Sequence, residues 1–367
     1  MKNIGIYIHI PFCERKCPYC DFYSRKGTDD MYRRYTDTMT EKIASSPYKH
    51  LYHADTLYFG GGTPGLLGAE NIGRIVDSVR ESFSLDTDSS EVTVEVNPQG
   101  ESLDLYALRK TGANRLSVGL QSAADSELEF LGRKHSSNDA RNCVLNARKA
   151  GFENISLDLM IALPGQTRES LKKSVDFCTQ LNVEHLSAYI LKIEEGTLFY
   201  RRKDSLELPD EDETADMYEC LCGLMKENGY EHYEISNFSR KGFEGKHNLR
   251  YWHDEEYIGF GPSAHSFVDG KRFYCPRSMK SFENDEIIAD GSGGDEEEYI
   301  MLGLRLAQGI GAEGFTKRFG HGLPEKYLKR CKNLEKAGYV KILGDGGFAL
   351  TEKGFLVSNA IIAHITE

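Results

Sequence analysis

The sequence lacks the features that mark membrane and secreted proteins. Its 367 residues contain no run of eighteen apolar residues, so we expect no integral membrane segment. The N-terminus lacks the basic stretch, apolar core and small-residue cleavage site of a secretory signal. Its nine cysteines are an odd number and do not indicate a disulfide framework. We therefore expect a globular protein of the reducing cytoplasm.

Positive charge is also scarce, with 45 Lys and Arg residues against 57 Asp and Glu residues and a net charge of −12. This balance argues against a nucleic-acid partner for the whole molecule. Residues 301–367 carry ten Lys and Arg against six Asp and Glu, which leaves a nucleic-acid-modifying enzyme open. A solvated helical face explains so small an excess more simply. The sequence shows no basic amphipathic helix that would require binding to a membrane surface, so at most a peripheral membrane contact is compatible with it.

The first two hundred residues alternate strand-like and helix-like segments. The strand-like runs lie at Gly5–Ile10, Thr56–Phe59, Glu91–Val96, Arg115–Val118, Ile155–Met160 and His185–Ile190. The helix-like segments lie at Asp30–Ala44, Glu70–Phe83, Ser102–Lys110, Asp139–Ala150 and Glu169–Gln180. Such alternation is typical of parallel βαβ units, arranged in an open sheet or in a partial barrel.

The pattern changes after about Gly196. A helix is predicted at Asp210–Asn228 and a strand at Gly229–Ser236, whereas residues 237–275 look irregular and the acidic, glycine-rich Asp285–Glu298 is typical of a linker. The remaining predicted elements are helices at Tyr299–Ala307, Glu313–Phe319 and Glu325–Lys336, a hairpin of Tyr339–Leu343 with Gly347–Leu350, and a helix from Thr351. We therefore expect domains at residues 1–200, 201–290 and 291–367, of which the last is mostly helical and winged-helix-like.

The most specific chemical signal is a group of three cysteines, Cys13, Cys17 and Cys20, spaced C-x3-C-x2-C. Three thiolates on one short loop suit a soft metal centre. A [4Fe–4S] cluster held by three cysteines keeps one iron open for another ligand, because such clusters normally take four. A zinc site with a distant fourth ligand and ordinary buried thiols are the alternatives that the spacing leaves open.

The cysteine loop follows the first predicted strand, and in this it resembles the radical S-adenosylmethionine (SAM) superfamily. That resemblance implies an α/β fold with a partial (β/α)6 barrel, a [4Fe–4S] cluster and SAM bound at the carboxyl ends of the strands. The loop after the second strand, Phe59-Gly60-Gly61-Gly62-Thr63-Pro64, resembles the branch that contains oxygen-independent coproporphyrinogen III oxidase. Consecutive glycines let the backbone approach a ligand closely.

The same resemblance implies a set of SAM-binding residues. They are Tyr7, which would lie near the cofactor, Gly61, Gly62 and Thr63 for its methionine amine, Glu95 for its ribose or amine, Gln121 at the end of the fourth strand, Arg133 for a carboxylate, and Asp158 in an apolar strand. A planar guanidinium suits a bidentate carboxylate partner. Taken singly, each polar residue could equally form a salt bridge or cap a helix, so the expectation rests on the set.

Two features separate the members of this branch. Phe22 stands two residues after Cys20, where the oxidase has a fourth cysteine, and the chain begins six residues before Tyr7, without room for the N-terminal extension of the oxidase. The haem chaperones of the HemW type have phenylalanine at that position. The sequence thus resembles the chaperones more than the oxidase.

A third feature is the segment His247-Asn248-Leu249-Arg250-Tyr251-Trp252, which matches the HNxxYW motif of these chaperones. The resemblance implies haem as a ligand, with His247, Tyr251, Trp252 and His265 as candidate contacts. Neutral imidazole is a good haem ligand. The plainer alternative is that Trp252 anchors a core and His247 bonds nearby. We expect a haem chaperone with a haem-accepting protein and a reductant for the cluster as partners; the alternative is the oxidase.

Overall fold

The protein is built around one large sheet and a smaller hairpin. The computed structural model describes residues 1–98 and 103–366. Its strands are β1 (Lys2–Ile10), β2 (Tyr52–Gly61), β3 (Glu91–Val96), β4 (Arg115–Gln121), β5 (Asn154–Ile161), β6 (His185–Ile190), β7 (Glu231–Glu234), β8 (Asn237–Ser239), β9 (Tyr257–Phe260), β10 (His265–Val268), β11 (Lys271–Tyr274), β12 (Ile288–Ser292), β13 (Val340–Ile342) and β14 (Phe348–Leu350).

Helices connect the strands and cover the outer face of the sheet. The α-helices are α1 (Asp29–Ala44), α2 (Gly68–Phe83), α3 (Leu105–Lys110), α4 (Asp125–Phe130), α5 (Ser137–Lys149), α6 (Arg168–Gln180), α7 (Leu198–Arg201), α8 (Glu211–Glu227), α9 (Lys246–Trp252), α10 (Met279–Glu283), α11 (Glu296–Gly303), α12 (Ala312–Phe319), α13 (Glu325–Lys336), α14 (Glu352–Leu356) and α15 (Ser358–Thr366). The first residue of the predicted helix Ser102–Lys110 lies outside the described residues; in the structure α3 begins at Leu105, with Asp104 as its N-cap.

Within the described residues, the main sheet has twelve strands in the order β12-β11-β10-β9-β1-β2-β3-β4-β5-β6-β8-β7. Strands β1 to β6 pair in parallel, each with the next along the chain. Parallel neighbours need a long crossover, which explains the helix between successive strands. The order begins at β12 and ends at β7, so the sheet does not close on itself. The architecture is therefore a partial barrel extended at both edges.

Strand β1 shows why the inner and outer faces of the barrel differ. Its residues Ile4, Ile6, Ile8 and Ile10 are fully buried against the covering helices. Alternate residues of a strand point to opposite faces, so Gly5, Tyr7 and His9 face the inside of the barrel. The polar and aromatic residues of the candidate site lie on this inner face or follow directly from it.

Helix α9 lies across the amino ends of the first strands and forms the floor of the barrel. Glu91, at the start of β3, accepts hydrogen bonds from the backbone amides of Lys246 and His247, both at 3.1 Å. Arg250 of the same helix forms an ion pair with Asp55 of β2, with 3.0 Å from its Nε to Oδ1. These contacts leave the carboxyl ends of the strands as the open end of the barrel.

Two predictions from the middle of the chain were wrong. Residues 237–275, expected to be irregular, contain β8 to β11 and α9, and the expected linker Asp285–Glu298 contains β12 and the start of α11. Strands of three to five residues give too short an alternation to read from sequence. All five residues of β12 are exposed, so hydrophobic patterning does not mark it. Its pairing with β11 holds it in the sheet.

The C-terminal unit packs three helices, α11 to α13, against the two-stranded antiparallel ribbon of β13 and β14, followed by α14 and α15. It is tied to the barrel by Asp254, whose fully buried carboxylate pairs with Arg318 at 2.5 Å and with Arg272 at 3.3 Å. Among the described residues, no helix combines the length and apolar character needed to cross a bilayer.

Candidate functional site

The three cysteines of the motif lie on the loop between β1 and α1, at the open end of the barrel. Cys13, Cys17 and Cys20 are free thiols and are half-buried. Backbone hydrogen bonds hold the loop, from the Cys13 amide to the Arg25 carbonyl at 3.0 Å and from the Cys20 amide to the Cys17 carbonyl at 3.2 Å. Thr28 caps α1 directly after the loop, which fixes where the helix begins. The three free thiols therefore lie on one short loop whose backbone is held by hydrogen bonds.

The glycine-rich loop after β2 is fastened to the cysteine loop by its backbone. The Gly62 amide donates to the Ile10 carbonyl at 2.8 Å, and the Thr63 amide donates to the Phe12 carbonyl at 2.7 Å. A Cβ atom on Gly62 would lie 2.4 Å from the Phe12 carbonyl oxygen, closer than such atoms can approach. Gly61 has a φ of +100°, a conformation that favours glycine. Glycine is thus required where the two loops meet.

A chain of hydrogen bonds connects two of the cysteine sulfurs. The Thr63 hydroxyl donates to the Cys13 sulfur at 3.6 Å and accepts from the Asn97 amide at 3.0 Å. The Asn97 carbonyl oxygen accepts from Arg133 Nη2 at 2.7 Å, and Arg133 Nη1 donates to the Cys17 sulfur at 3.6 Å. Both donors point at sulfur, and one of them carries a full positive charge.

The sequence motifs did not identify Asn97 as a residue of this site. It follows Glu95 by two residues at the end of β3, so both side chains point to the same face, and this alternation was the available signal. Arg133 Nη2 also donates to the carbonyl of Gly119 in β4 at 2.9 Å. Gln121 ends that strand with a φ of +72°. A Cβ atom on Gly119 would lie 3.1 Å from both the Arg133 and the Gln121 nitrogens, so these side chains are neighbours.

Two carboxylates lie inside the barrel. Glu95 accepts a hydrogen bond from the Tyr58 hydroxyl at 2.8 Å, and burial raises its pKa to about 7. Asp158 accepts from the Ser117 hydroxyl at 3.0 Å, and burial raises its pKa to about 6. Both side chains remain half-buried, and the nearby ring of Tyr189 is 44% exposed, so the interior is open to small ligands. Desolvation disfavours the charged form of an acid, so a bound cation would favour ionisation of both carboxyls.

Tyr7 belongs to an aromatic group between this site and the floor. Its ring stacks on those of Tyr58, at 6.2 Å between centroids, and His247, at 6.4 Å. Its hydroxyl bonds to His9 Nδ1 at 3.1 Å. Burial raises the pKa of Tyr7, so its hydroxyl stays protonated. The structure thus brings Tyr7 and Glu95 to neighbouring positions around Tyr58.

The four haem candidates do not form one cluster. His247 is 1% exposed, and both its ring nitrogens are bonded, Nδ1 to the Thr56 hydroxyl and Nε2 to the Tyr251 hydroxyl, each at 2.8 Å. Burial lowers the pKa of His247 to about 3, which keeps the ring neutral. Trp252 is half-buried at the end of α9.

His265 lies apart, at the start of β10, where its ring is exposed and stacks on Tyr274 at 4.9 Å between centroids. Its Nδ1 is 4.0 Å from Asp290, and partial burial lowers the pKa of His265. The cross-strand pair of His265 and Tyr274 presents an accessible imidazole beside a flat ring. Of the two histidines, this one has the more accessible side chain.

The donors at the cysteine loop fit an iron–sulfur cluster. Within residues 1–98 and 103–366, no three His, Cys, Asp or Glu side chains converge as a site for a metal ion. A [4Fe–4S] cluster does not require its ligands to converge on one point, because each cysteine binds a different iron. The free thiols on one anchored loop, with Thr63 and Arg133 donating to two of them, are compatible with such an arrangement. The glycine loop and the carboxylates beside them offer backbone and acidic groups to an amine and a sulfonium.

Comparisons with known proteins agree with this geometry. A model of the Radical SAM superfamily matches residues 7–178, and a model of the HemN C-terminal domain matches residues 296–357. The "Heme chaperone HemW" of Bacillus subtilis (strain 168) is 36% identical over 97% of each chain. The protein of the same name from Escherichia coli (strain K12) is 37% identical over 99% of this chain and 98% of its own.

A solved structure confirms the predicted fold class. Coproporphyrinogen III oxidase (HemN) from Escherichia coli, described there as a radical SAM enzyme, aligns with a TM-score of 0.84 over 100% of this chain and 90% of its own. Its identity is 23%, so the likeness concerns the fold alone. The curated relatives are more similar in sequence and extend over the whole length. The chain therefore belongs to the radical SAM superfamily and, within it, to the family of the heme chaperone HemW.

Proposed function

We propose that this protein is a haem chaperone that binds a [4Fe–4S] cluster, SAM and haem, and passes the haem to a haem protein. The observation that carries the proposal is its 36–37% identity, over nearly its whole length, with proteins named heme chaperones. The conformation of the cysteine loop supports the cluster, since the three thiols are free and two of them accept hydrogen bonds.

In this proposal Cys13, Cys17 and Cys20 would hold the cluster, with SAM beside it. The cluster would supply reducing chemistry to the sulfonium of SAM. The chain's own residues orient the ligands. The Gly61 and Gly62 backbone lies beside the loop, while Arg133, fixed by Asn97 and the Gly119 carbonyl, keeps a positive charge next to the Cys17 sulfur. A guanidinium held in this way links the cysteine loop to the ends of β3 and β4.

Glu95 gives this proposal a test that does not depend on turnover. Burial raises the pKa of Glu95 to about 7, so near neutral pH part of the population is protonated. A bound sulfonium or ammonium lowers the pKa of a neighbouring carboxyl. We expect SAM binding at pH 7 to release protons, measured by calorimetry in two buffers of different ionisation enthalpy. The Glu95→Gln variant should lose that release, and a wild-type value of zero would contradict the proposed contact.

For haem, the accessible ligand is His265. Its neutral imidazole is exposed and the Tyr274 ring lies beside it. His247 could ligate iron only after one ring nitrogen lost its bond to Thr56 or Tyr251, and a buried hydrogen bond lost costs about 1–3 kcal/mol. We propose His265 as the ligand in the described conformation, with His247 as a structural residue of the floor.

The experiment is a haem titration of wild type and of His265→Ala and His247→Ala, followed by the Soret band. The His265→Ala spectrum should change, while His247→Ala should keep the wild-type spectrum and lose stability. The reverse result would assign haem to the HNxxYW helix and would require that helix to rearrange. Haem transfer is then followed by mixing the loaded protein with an apo-haem protein and separating the two.

The oxidase alternative is tested on the cluster-loaded protein. Phe22, which stands where a fourth cysteine would be expected in the oxidase, is 66% exposed and offers no metal ligand. With SAM, a reductant and coproporphyrinogen III under anaerobic conditions, we expect no catalytic formation of protoporphyrinogen IX, detected by fluorescence after oxidation. Turnover at a catalytic rate would overturn the chaperone proposal.

A further inference from the structure

Exposed basic side chains surround the cysteine loop, although the chain as a whole has a net charge of −12. We call this set the basic collar; it consists of Arg15, Lys16, Arg25, Lys26, Lys134 and Arg277, all exposed. The acidic residues among them are Glu14, which is 3.8 Å from Lys134, Asp21, which pairs with Arg277, and Asp29, which begins α1 three residues after Lys26. With these six cations and three acids set aside, the 45 Lys and Arg and 57 Asp and Glu of the chain become 39 against 54.

The collar is continuous with the loop that would hold the cluster. The Arg25 carbonyl accepts the Cys13 amide, so this residue and Lys26 lie directly beside the first cysteine. Arg15 and Lys134 line a small cavity together with Cys17. The Arg277 guanidinium reaches the loop from outside and bonds to the Asp21 backbone carbonyl and carboxylate.

An apolar contact point lies within the collar. Phe22, two residues after Cys20, exposes 66% of its surface. An exposed aromatic ring with a charged rim is typical of a protein–protein contact, where the ring supplies binding energy and the rim supplies orientation. A patch of positive charge beside the cysteine loop, on a chain whose net charge is −12, attracts an acidic partner to that part of the surface.

We propose that the basic collar is the docking surface for a small acidic electron-carrier protein of the plant-type ferredoxin class. This inference rests on the proposed function, because it requires a cluster on the cysteine loop. The carrier is oxidised by one electron and the cluster is reduced by one electron, with no bond made or broken and no proton transferred. A plant-type ferredoxin has a reduction potential of about −400 mV, low enough to serve as such a donor.

The test compares two triple variants with equal changes in charge. Arg15→Glu, Lys16→Glu and Lys26→Glu together reverse part of the collar. Lys226→Glu, Lys241→Glu and Lys341→Glu together form the control, since these lysines are also exposed and lie in α8, after β8 and in β13. Iron content and the electron paramagnetic resonance spectrum of the reduced cluster are measured first for both variants.

Reduced plant-type ferredoxin is then mixed anaerobically with each oxidised protein, and bleaching of the cluster absorbance is followed by stopped flow. At low ionic strength we expect the second-order rate constant of the collar variant to fall about ten- to a hundredfold. The control variant should react like wild type. Added salt should slow wild type towards the collar variant, because the Debye length shortens to about 10 Å at 0.1 M. Reduction by photoexcited deazaflavin, a small molecule, should be equal in all three.

Equal ferredoxin rates for wild type and the collar variant, or an equal loss in the control, would overturn the inference. If haem binding falls in the collar variant while ferredoxin rates do not, the collar serves an anionic porphyrin and the docking proposal is wrong. If the triple variant fails to take up iron, Lys26→Glu alone, which lies outside the cysteine motif, gives the same comparison with a smaller effect. A wild-type chain without iron would overturn the cluster proposal itself, which is seen before ferredoxin is added.

Discussion

Substitution of Gly62 by alanine tests whether the two loops of the site are interlocked as described. The new Cβ atom would lie 2.4 Å from the Phe12 carbonyl oxygen and 2.7 Å from the Ile10 carbonyl oxygen. Both obstacles are backbone atoms in the cysteine loop and at the end of β1, so no side-chain rotation relieves them. The loop after β2 must therefore move away from the cysteine loop.

The magnitude follows from the bonds that this movement breaks. The Gly62 amide to Ile10 carbonyl bond and the Thr63 amide to Phe12 carbonyl bond join the loops, at 2.8 Å and 2.7 Å. A backbone hydrogen bond contributes about 0.5–1.5 kcal/mol net, so we expect Gly62→Ala to lower the free energy of unfolding by about 1–3 kcal/mol. Movement of Thr63 also withdraws its hydroxyl from the Cys13 sulfur. Cluster retention should fall as well.

The assay is urea unfolding of the iron-free protein by circular dichroism, with iron retention after reconstitution as a second readout. Gly223→Ala is the matched control, because Gly223 lies within α8 and a Cβ atom there would meet nothing within 4 Å. Alanine in a helix is favoured over glycine by about 0.5–1 kcal/mol, so the control should be slightly more stable than wild type. If Gly62→Ala unfolds at the wild-type urea concentration and retains iron normally, the interlocking described above is wrong.

Three further outcomes are expected. Asn97→Ala removes the link between Thr63 and Arg133, so we expect weaker SAM binding by calorimetry and a changed cluster spectrum, with about 1–2 kcal/mol lost in stability. Asp158→Asn should be more stable than wild type at pH 8, by roughly 1–2 kcal/mol, and this advantage should vanish near pH 4, because burial raises the pKa of Asp158 to about 6. Arg318→Ala leaves the buried Asp254 carboxylate with Arg272 as its remaining ion-pair partner and should cost about 2–4 kcal/mol in urea unfolding.

Each of these outcomes has a control. Asn138→Ala, at an exposed position of α5, should leave SAM binding unchanged. For Asp158 the direction of the pH dependence follows from its pKa, which is higher in the folded than in the unfolded protein. Wild type should therefore lose stability as the pH rises from about 4 to 6. An opposite trend would refute the argument from burial. Lys317→Ala, the exposed neighbour on α12, should not change unfolding, and an equal loss there would show that Arg318 acts through the helix rather than through Asp254.

The first half of the fold was predictable because its signals are local. Strands β3 and β6 begin and end where the sequence predicts, and α13 does as well. The cysteine and glycine motifs follow their strands directly, and parallel pairing of β1 with β2 brings Ile10 opposite Gly61. Parallel strands that are neighbours in sequence share an end, so adjacent motifs necessarily meet. The meeting of these two loops therefore follows from strand order alone.

The rest depends on pairing between distant parts of the chain. Strand β9 pairs with β1 and β8 pairs with β6, and strands of three or four residues leave no clear periodicity. The contact of Arg133 with Asn97 joins the loop that follows α4 to the end of β3, and the two residues are 36 positions apart in the sequence. The family resemblance assigned Arg133 to a carboxylate but could not show that its guanidinium also reaches the Cys17 sulfur.

The position of β1 within the sheet bears on what loss of the proposed cluster would do to the fold. This strand has a partner on each side, β2 and β9, and its four isoleucines are fully enclosed without any help from iron. The anchoring backbone bonds of the cysteine loop likewise join protein atoms to protein atoms. We therefore expect that oxidative loss of the proposed cluster would leave the cysteine loop folded, so that a new cluster could be inserted without unfolding the protein.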